Sequence, residues 1–180
     1  MEPVAIEAGS IRLRPFRSDD IDWLHQVSAD PLLRRFIDLP SPYRREDAAH
    51  FVERLAVDGW TDGSRAEFLV ESAERPGRRL GRVGLHIRQN GTAEIGFWAD
   101  PSARGAGVTT AAVRVVCRWA FTGLGLALVE WRAEVGNDAS RRVAEKAGFL
   151  VEAVLRRRLV HRGERVDAWV GSLLPCELLT

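Results

Sequence analysis

The run Asp100-Pro-Ser-Ala-Arg-Gly-Ala-Gly-Val-Thr-Thr110 follows a strand-like segment and opens a long apolar helix pattern, and its chemistry is that of a phosphate cradle. Gly105 and Gly107 remove Cβ atoms where the backbone must turn sharply, and the first N–H groups of the helix behind them have no intrahelical partners. Such a helix start offers free donors and a partial positive charge to a diphosphate, with Arg104 adding a full charge beside them. The ligand should therefore carry phosphates. Three readings fit a loop of this kind. A Walker loop needs Gly-x-x-x-x-Gly-Lys-Ser/Thr, and the lysine is missing. A dinucleotide fingerprint shares Gly105-x-Gly107 and places Glu130 at the distance of a ribose ligand, but its third glycine is Thr110 and the preceding strand ends a meander. The third reading is a strand-to-helix turn that holds no ligand.

The elements that must position this loop are visible as periodicities. Ile11-Arg-Leu-Arg-Pro-Phe16 alternates as a strand, and Ser18-Asp-Asp20 supplies capping residues for a helix over about 19–28. A proline-containing connection over 31–42 leads to a second helix over about 45–58, with Phe51, Val52, Leu55 and Ala56 at helical spacing. Runs at 68–72 and 80–87 read as a hairpin around Arg75-Pro-Gly77, and Gln89-Asn-Gly91 turns into a strand over 93–98. A helix over 107–124 stops at Gly123 and Gly125, and a strand covers 129–135. A short helix then starts at Asn137 and ends at Gly148. Two last β runs, 149–159 and 166–174, are joined by His161-Arg-Gly163. No repeat or linker interrupts the pattern, which predicts one mixed α/β domain over 1–180.

Bulk composition narrows the partners. A chain of 180 residues, 46% hydrophobic and 28% charged, can bury a substantial core. Its formal net charge of +1 gives no reason to expect nucleic acid or a membrane surface as a partner. The N-terminus lacks a basic region with an apolar signal core, and no apolar stretch approaches membrane-spanning length, so a soluble cytoplasmic protein is expected. Cys117 and Cys176 form no CxxC pair, and His25, His50, His86 and His161 show no metal-ligand spacing. The cysteines read as reduced and structural, His86 as a structural strand residue, and no metal is expected. Trp23, Trp60, Trp119, Trp131 and Trp169 read as core or interface.

Five motifs stand in register: Leu13-Arg-Pro-Phe-Arg-x-x-Asp20, Glu94-Ile-Gly-Phe-Trp-x-x-Pro101, Arg104-Gly-x-Gly107, Asn137-x-x-Ser140 and Glu145-Lys-Ala-Gly-Phe149. In order and spacing they resemble the GNAT superfamily of acetyl-coenzyme A dependent N-acetyltransferases, most closely the branch of RimJ/RimL-type ribosomal-protein N-terminal acetyltransferases, over about residues 10–175. The resemblance implies an α/β (α+β) fold: a mixed, mostly antiparallel seven-stranded sheet flanked by about four helices, with the strands at 93–98 and 129–135 splayed apart to admit pantetheine. Backbone groups of Phe97, Trp98 and Ala99 would bond the pantetheine amides. Loop amides of Arg104, Gly105, Ala106, Gly107, Val108 and Thr109 would hold the pyrophosphate, Thr109 standing where the family has a small residue. Asn137 would hold coenzyme or a strand carbonyl, a role compatible with capping its helix. The implied reaction moves an acetyl group to a primary amine by direct attack in a ternary complex, with no acyl-enzyme cysteine. Its acceptor is a protein N-terminal α-amine or a small-molecule amine such as an antibiotic or polyamine, read mainly by residues about 20–60. A non-catalytic acyl-CoA binding module is the alternative, motivated by Thr109 and by a missing tyrosine. Homodimers are common in the resembled branch.

Amide formation needs a neutral amine, a stabilised oxyanion and a proton for the departing thiolate. Glu94 occupies the position of the general base in histone-type members; it also reads as a salt-bridged strand carboxylate. A lysine amine of pKa about 10.4 lies roughly 4–5 kcal/mol from neutrality at pH 7, an α-amine near 8 only about 1.4 kcal/mol, so a weak base favours α-amines. Backbone N–H groups near Trp98 are the natural oxyanion donors. Many members place a tyrosine general acid seven residues after the motif asparagine, where this chain has Ala144, and its one tyrosine is Tyr43. Ser140 is the replacement candidate, or else a capping hydroxyl, and a coenzyme A thiol of moderate pKa can also leave without a dedicated acid. Arg34, Arg35, Arg44 and Arg45 favour an acidic acceptor or form a solvated surface.

Overall fold

A computed structural model of the chain describes residues 1–178. Eight strands form one sheet: β1 (Ile6–Ala8), β2 (Ile11–Pro15), β3 (Arg65–Ser72), β4 (Arg79–Ile87), β5 (Thr92–Ala99), β6 (Leu128–Glu134), β7 (Leu150–His161) and β8 (Glu164–Leu173). Their spatial order is β1-β2-β3-β4-β5-β6-β8-β7, and every neighbouring pair is antiparallel except β5 and β6. The helices are α1 (Ile21–Val27), α2 (Pro31–Phe36), α3 (Arg45–His50), α4 (Ala56–Asp62), α5 (Val108–Thr122) and α6 (Asp138–Ala147), with a π-helical stretch, Phe51–Leu55, joining α3 to α4 in one rod.

The mixed, mostly antiparallel architecture agrees with expectation, with one strand more. β1 has three residues and turns into β2 through Gly9 at φ +59°, too short a run for alternation to register. The 31–42 connection likewise contains a helix. Asp30 accepts from the Leu33 amide at 2.8 Å and Pro31 stands in the first turn, a start signal that the further prolines at 40 and 42 obscure.

Alternation along the strands divides the sheet into two chemically different faces. Ala93 and Ile95 of β5, Val129, Trp131 and Ala133 of β6, and Val83 and Leu85 of β4 belong to the main core with Ala112, Val113, Val116, Cys117 and Ala120 of α5. The other face carries charge. Leu69 there packs with Ile21, Leu24 and Val27 of α1 and with Ala48 and Val52 of the α3 rod. Between these helices and the sheet, Asp20 is fully buried and takes two bonds from Arg14, at 2.7 and 3.0 Å, and one from Arg79 at 2.6 Å. Arg14 continues to Glu71 at 3.1 Å.

A second buried carboxylate lies tight against a glycine. Glu67 on β3 is fully buried and held by Arg82 through two 2.7 Å bonds, and a Cβ at Gly84 would lie 2.4 Å from its Oε2 and 2.6 Å from the Arg82 guanidinium. A methyl group there would force the ion pair to shift. Gly84→Ala is expected to destabilise the protein by about 1–3 kcal/mol, seen as a lower urea midpoint at unchanged slope.

Candidate active site

The parallel pair β5–β6 opens into a wedge. Partners run from Thr92 with Leu128 to Ile95 with Trp131 and then stop, while β5 stays paired to β4 as far as Ala99 and β6 to β8 as far as Glu134. Each strand is held by its outer neighbour while the inner ladder is missing. The Arg88 amide donates to the Thr92 carbonyl at 2.8 Å and the Asp100 amide to the Leu80 carbonyl at 2.9 Å, which turns the even-numbered backbone groups of β5 toward β4. Phe97 and Ala99 therefore face the wedge without a strand partner, while Trp98, expected to share that role, faces Arg82 of β4.

The glycine loop lies at the end of β5. Asp100 caps a 3₁₀ turn, accepting from the Ser102 amide at 2.9 Å and its hydroxyl at 2.7 Å, and it also receives the Trp23 indole N–H at 3.0 Å. Gly105 and Gly107 have φ of +77° and +76°, and no protein atom lies within 4 Å of where a Cβ would sit on either. Backbone conformation, not crowding, demands glycine here. Gly107 precedes α5 with no side-chain cap, and its carbonyl accepts the Ala111 amide at 3.0 Å. The amides of Val108, Thr109 and Thr110 lie in that first turn, where no helical carbonyl can reach them. Thr109 fits regular helix in spite of its branched side chain. Arg104 is already engaged, donating to Asp30 at 3.2 and 2.5 Å.

Glu94 sits on the charged face at the closed end of the wedge, beside His86 on β4 and Glu130 on β6. Its Oε2 accepts from Arg88 at 2.9 Å and from Arg132 at 2.5 Å. Arg88 also binds Glu130, so the residue that a dinucleotide reading would assign to ribose is part of this ion-pair cluster. Among the described residues, no protein donor engages Glu94 Oε1. His86 is held below its ordinary pKa by burial and by Arg65 and Arg82, with Glu67 and Glu94 opposing, and is neutral at pH 7.

Ser140 lies in the first turn of α6, where its amide donates to the Asn137 side-chain oxygen at 3.2 Å, making Asn137 the helix cap. The Ser140 Oγ accepts the Trp131 indole N–H at 3.0 Å. Its own O–H is thereby left to donate. Trp131, the last residue of β6 paired to β5, connects the apex of the wedge to this hydroxyl. The sequence places Trp131 in the core or an interface and not at the site; its distance of nine residues from Ser140, across a strand-to-helix junction, gives no periodic signal. Ala144 is fully buried. Tyr43 packs among α1 and α3, and burial raises its phenol pKa against a bond with Ser28. With His25, Ser28, Arg34 and Pro42 it lines a surface cavity of about 390 Å³. Cys117 is buried and burial pushes its thiol far up, so it supplies no thiolate, while Cys176 is exposed.

A model of the Acetyltransferase (GNAT) domain matches residues 10–150. The chain is 40% identical over 103 residues to YdaF of Bacillus subtilis (strain 168), named as a candidate ribosomal N-acetyltransferase. That match covers 56% of this chain and 56% of YdaF, little more than half of either. Over 167 residues it is 27% identical to the spermidine N(1)-acetyltransferase of Escherichia coli, covering 89% of this chain and 84% of that one. A solved structure of RimL, a ribosomal-protein α-N-acetyltransferase in complex with coenzyme A, has a TM-score of 0.85 at 19% identity and covers 95% of this chain and 98% of its own. That likeness is one of fold. Splayed strands, an uncapped helix start behind two left-handed glycines and a domain match over most of the length agree: the chain belongs to the GNAT acetyltransferase family.

Proposed function

We propose that the protein transfers an acetyl group from acetyl-coenzyme A to a protein N-terminal α-amine, by direct attack in a ternary complex. The observation that carries this reading is the wedge that ends at a backbone anion cradle. The residues fit the donor: Phe97 and Ala99 offer unpaired strand amides and carbonyls to pantetheine, and the helix-start amides through Thr109 offer donors to a pyrophosphate. The donor supplies a thioester carbonyl and a thiol leaving group. Backbone N–H groups near Trp98 stabilise charge on the attacked oxygen without side-chain reorganisation. Glu94, anchored through Oε2, keeps Oε1 to receive the amine proton directly or through water. Ser140, whose oxygen is occupied by the Trp131 N–H, donates its O–H as a hydrogen bond to the departing sulfur, which leaves as a thiolate of moderate basicity and takes its proton from water.

Charge supports an α-amine over a polyamine. Glu94, Glu130 and Glu134, the carboxylates along β5 and β6 on the charged face, are each paired with an arginine and leave no anionic track for a polycation. An α-amine also asks less of a base tied to two guanidiniums. Peptides differing in their first residue, assayed beside spermidine and aminoglycosides, test the choice. Acetylation confined to peptide α-amines is expected, and efficient turnover of spermidine alone contradicts it. Ser140→Ala should lower kcat about a hundredfold with coenzyme affinity unchanged, read by thiol release and calorimetry.

A further inference from the structure

Helix α2 bridges the two splayed strands where they stand apart. Its N-terminal end is tied to the loop after β5, because Asp30 receives both Arg104 bonds, at 3.2 and 2.5 Å. Its C-terminal end is tied to β6 and the β7–β8 turn. Arg35 donates to Glu134, the last residue of β6, at 3.0 Å, and Arg162 donates to the Arg34 carbonyl at 2.7 Å. Glu134 is held further by His161 Nδ1 at 2.7 Å. The helix has six residues and buries one side chain, Leu33, so these polar ties carry much of its attachment.

The two ends face different competition. Arg104 precedes Gly105 directly, next to the unpaired amides that start α5. A diphosphate seated on those amides offers the guanidinium a bidentate partner with more negative charge than one carboxylate. The Arg104 side chain is 34% exposed, so burial does not lock it onto Asp30. Asp30 is held below its ordinary pKa by Arg104 and stays charged, so an anion and not a proton displaces it. Glu134 has no such rival for Arg35.

We propose that Arg104 is an exchange latch: bound coenzyme takes its guanidinium from Asp30 through the pyrophosphate, freeing the Asp30 end of α2 while the Arg35–Glu134 end holds. This rests on the reading of the glycine loop as the coenzyme cradle. It couples filling of the donor site to loosening of a segment beside the acceptor entrance.

Amide hydrogen exchange over 31–36 and trypsin cleavage after Arg34 and Arg35, measured on the whole chain, test the latch. Saturating coenzyme A is expected to speed both about fivefold, and pantetheine, which lacks the pyrophosphate, to leave them unchanged. Asp30→Asn keeps a capping oxygen for the Leu33 amide and removes the charge. It should be fast without coenzyme and insensitive to it. Coenzyme binding by calorimetry with unchanged or slower exchange overturns the latch alone, as does Asp30→Asn behaving like the parent chain. Absence of coenzyme binding overturns the cradle reading and the latch together.

Discussion

Gly107→Val is expected to weaken coenzyme A binding at least a thousandfold while the protein stays folded. Gly107 has φ +76°, a conformation that costs a branched residue about 1–2 kcal/mol. Nothing in the protein lies within 4 Å of the new Cβ, so the fold can host it and the melting temperature should fall by a few degrees only. The ligand cannot be hosted as easily. An isopropyl group beside the first amides of α5 occupies space that a diphosphate needs, and each charge-assisted bond lost is worth about 1.5–3 kcal/mol. Three such bonds come to about 4.5 kcal/mol or more, which exceeds three factors of ten. Calorimetric titration with coenzyme A reads the loss, and thermal melting reads the fold. Affinity unchanged in a folded Gly107→Val protein would mean that the phosphates bind elsewhere.

The largest expected effect on stability comes from Asp20→Ala. Removing this fully buried carboxylate leaves Arg14 and Arg79 facing each other without their shared anion, which costs about 3–5 kcal/mol. That is a large part of the about 5–15 kcal/mol that typically separates folded from unfolded. Urea midpoints measure it. Burial opposes ionisation of Asp20, but the bonds from Arg14 and Arg79 and the Arg17 amide outweigh it and hold the folded carboxyl below its ordinary value. A depressed carboxyl contributes stability that is complete above its unfolded pKa and is lost as pH falls through the folded one. The parent chain should therefore lose stability on acidification below the usual carboxylate range, and Asp20→Ala should flatten that limb.

Asp20 also shows what kind of information a sequence holds. The Arg-Pro-Phe-Arg-x-x-Asp run was readable as capping chemistry and as part of a family resemblance. Its function as a buried ion cluster depends on Glu71 and Arg79, more than fifty residues away, which no local period connects to it. The glycine loop was legible because left-handed turns and an uncapped helix start are local properties. The wedge was expected only by resemblance. Alternation placed both strands, yet nothing in their composition says that pairing stops after Ile95 and Trp131. Long-range polar partners were the least visible part of the site. Glu94 meets Arg132 from 38 residues away and Arg104 meets Asp30 from 74, and opposite charges at such separations are too common in a chain with 28% charged residues to be paired by inspection.

A primary amine is expected to leave this protein acetylated at the expense of acetyl-coenzyme A. Mass spectrometry of an α-amine peptide incubated with the protein and acetyl-coenzyme A, with released thiol counted in the same sample, tests it most directly. One thiol should be released for each peptide acetylated at its N-terminus, with both products falling together in Ser140→Ala. Thiol release without an acetylated amine, or tight coenzyme binding with no transfer to any amine offered, would contradict it.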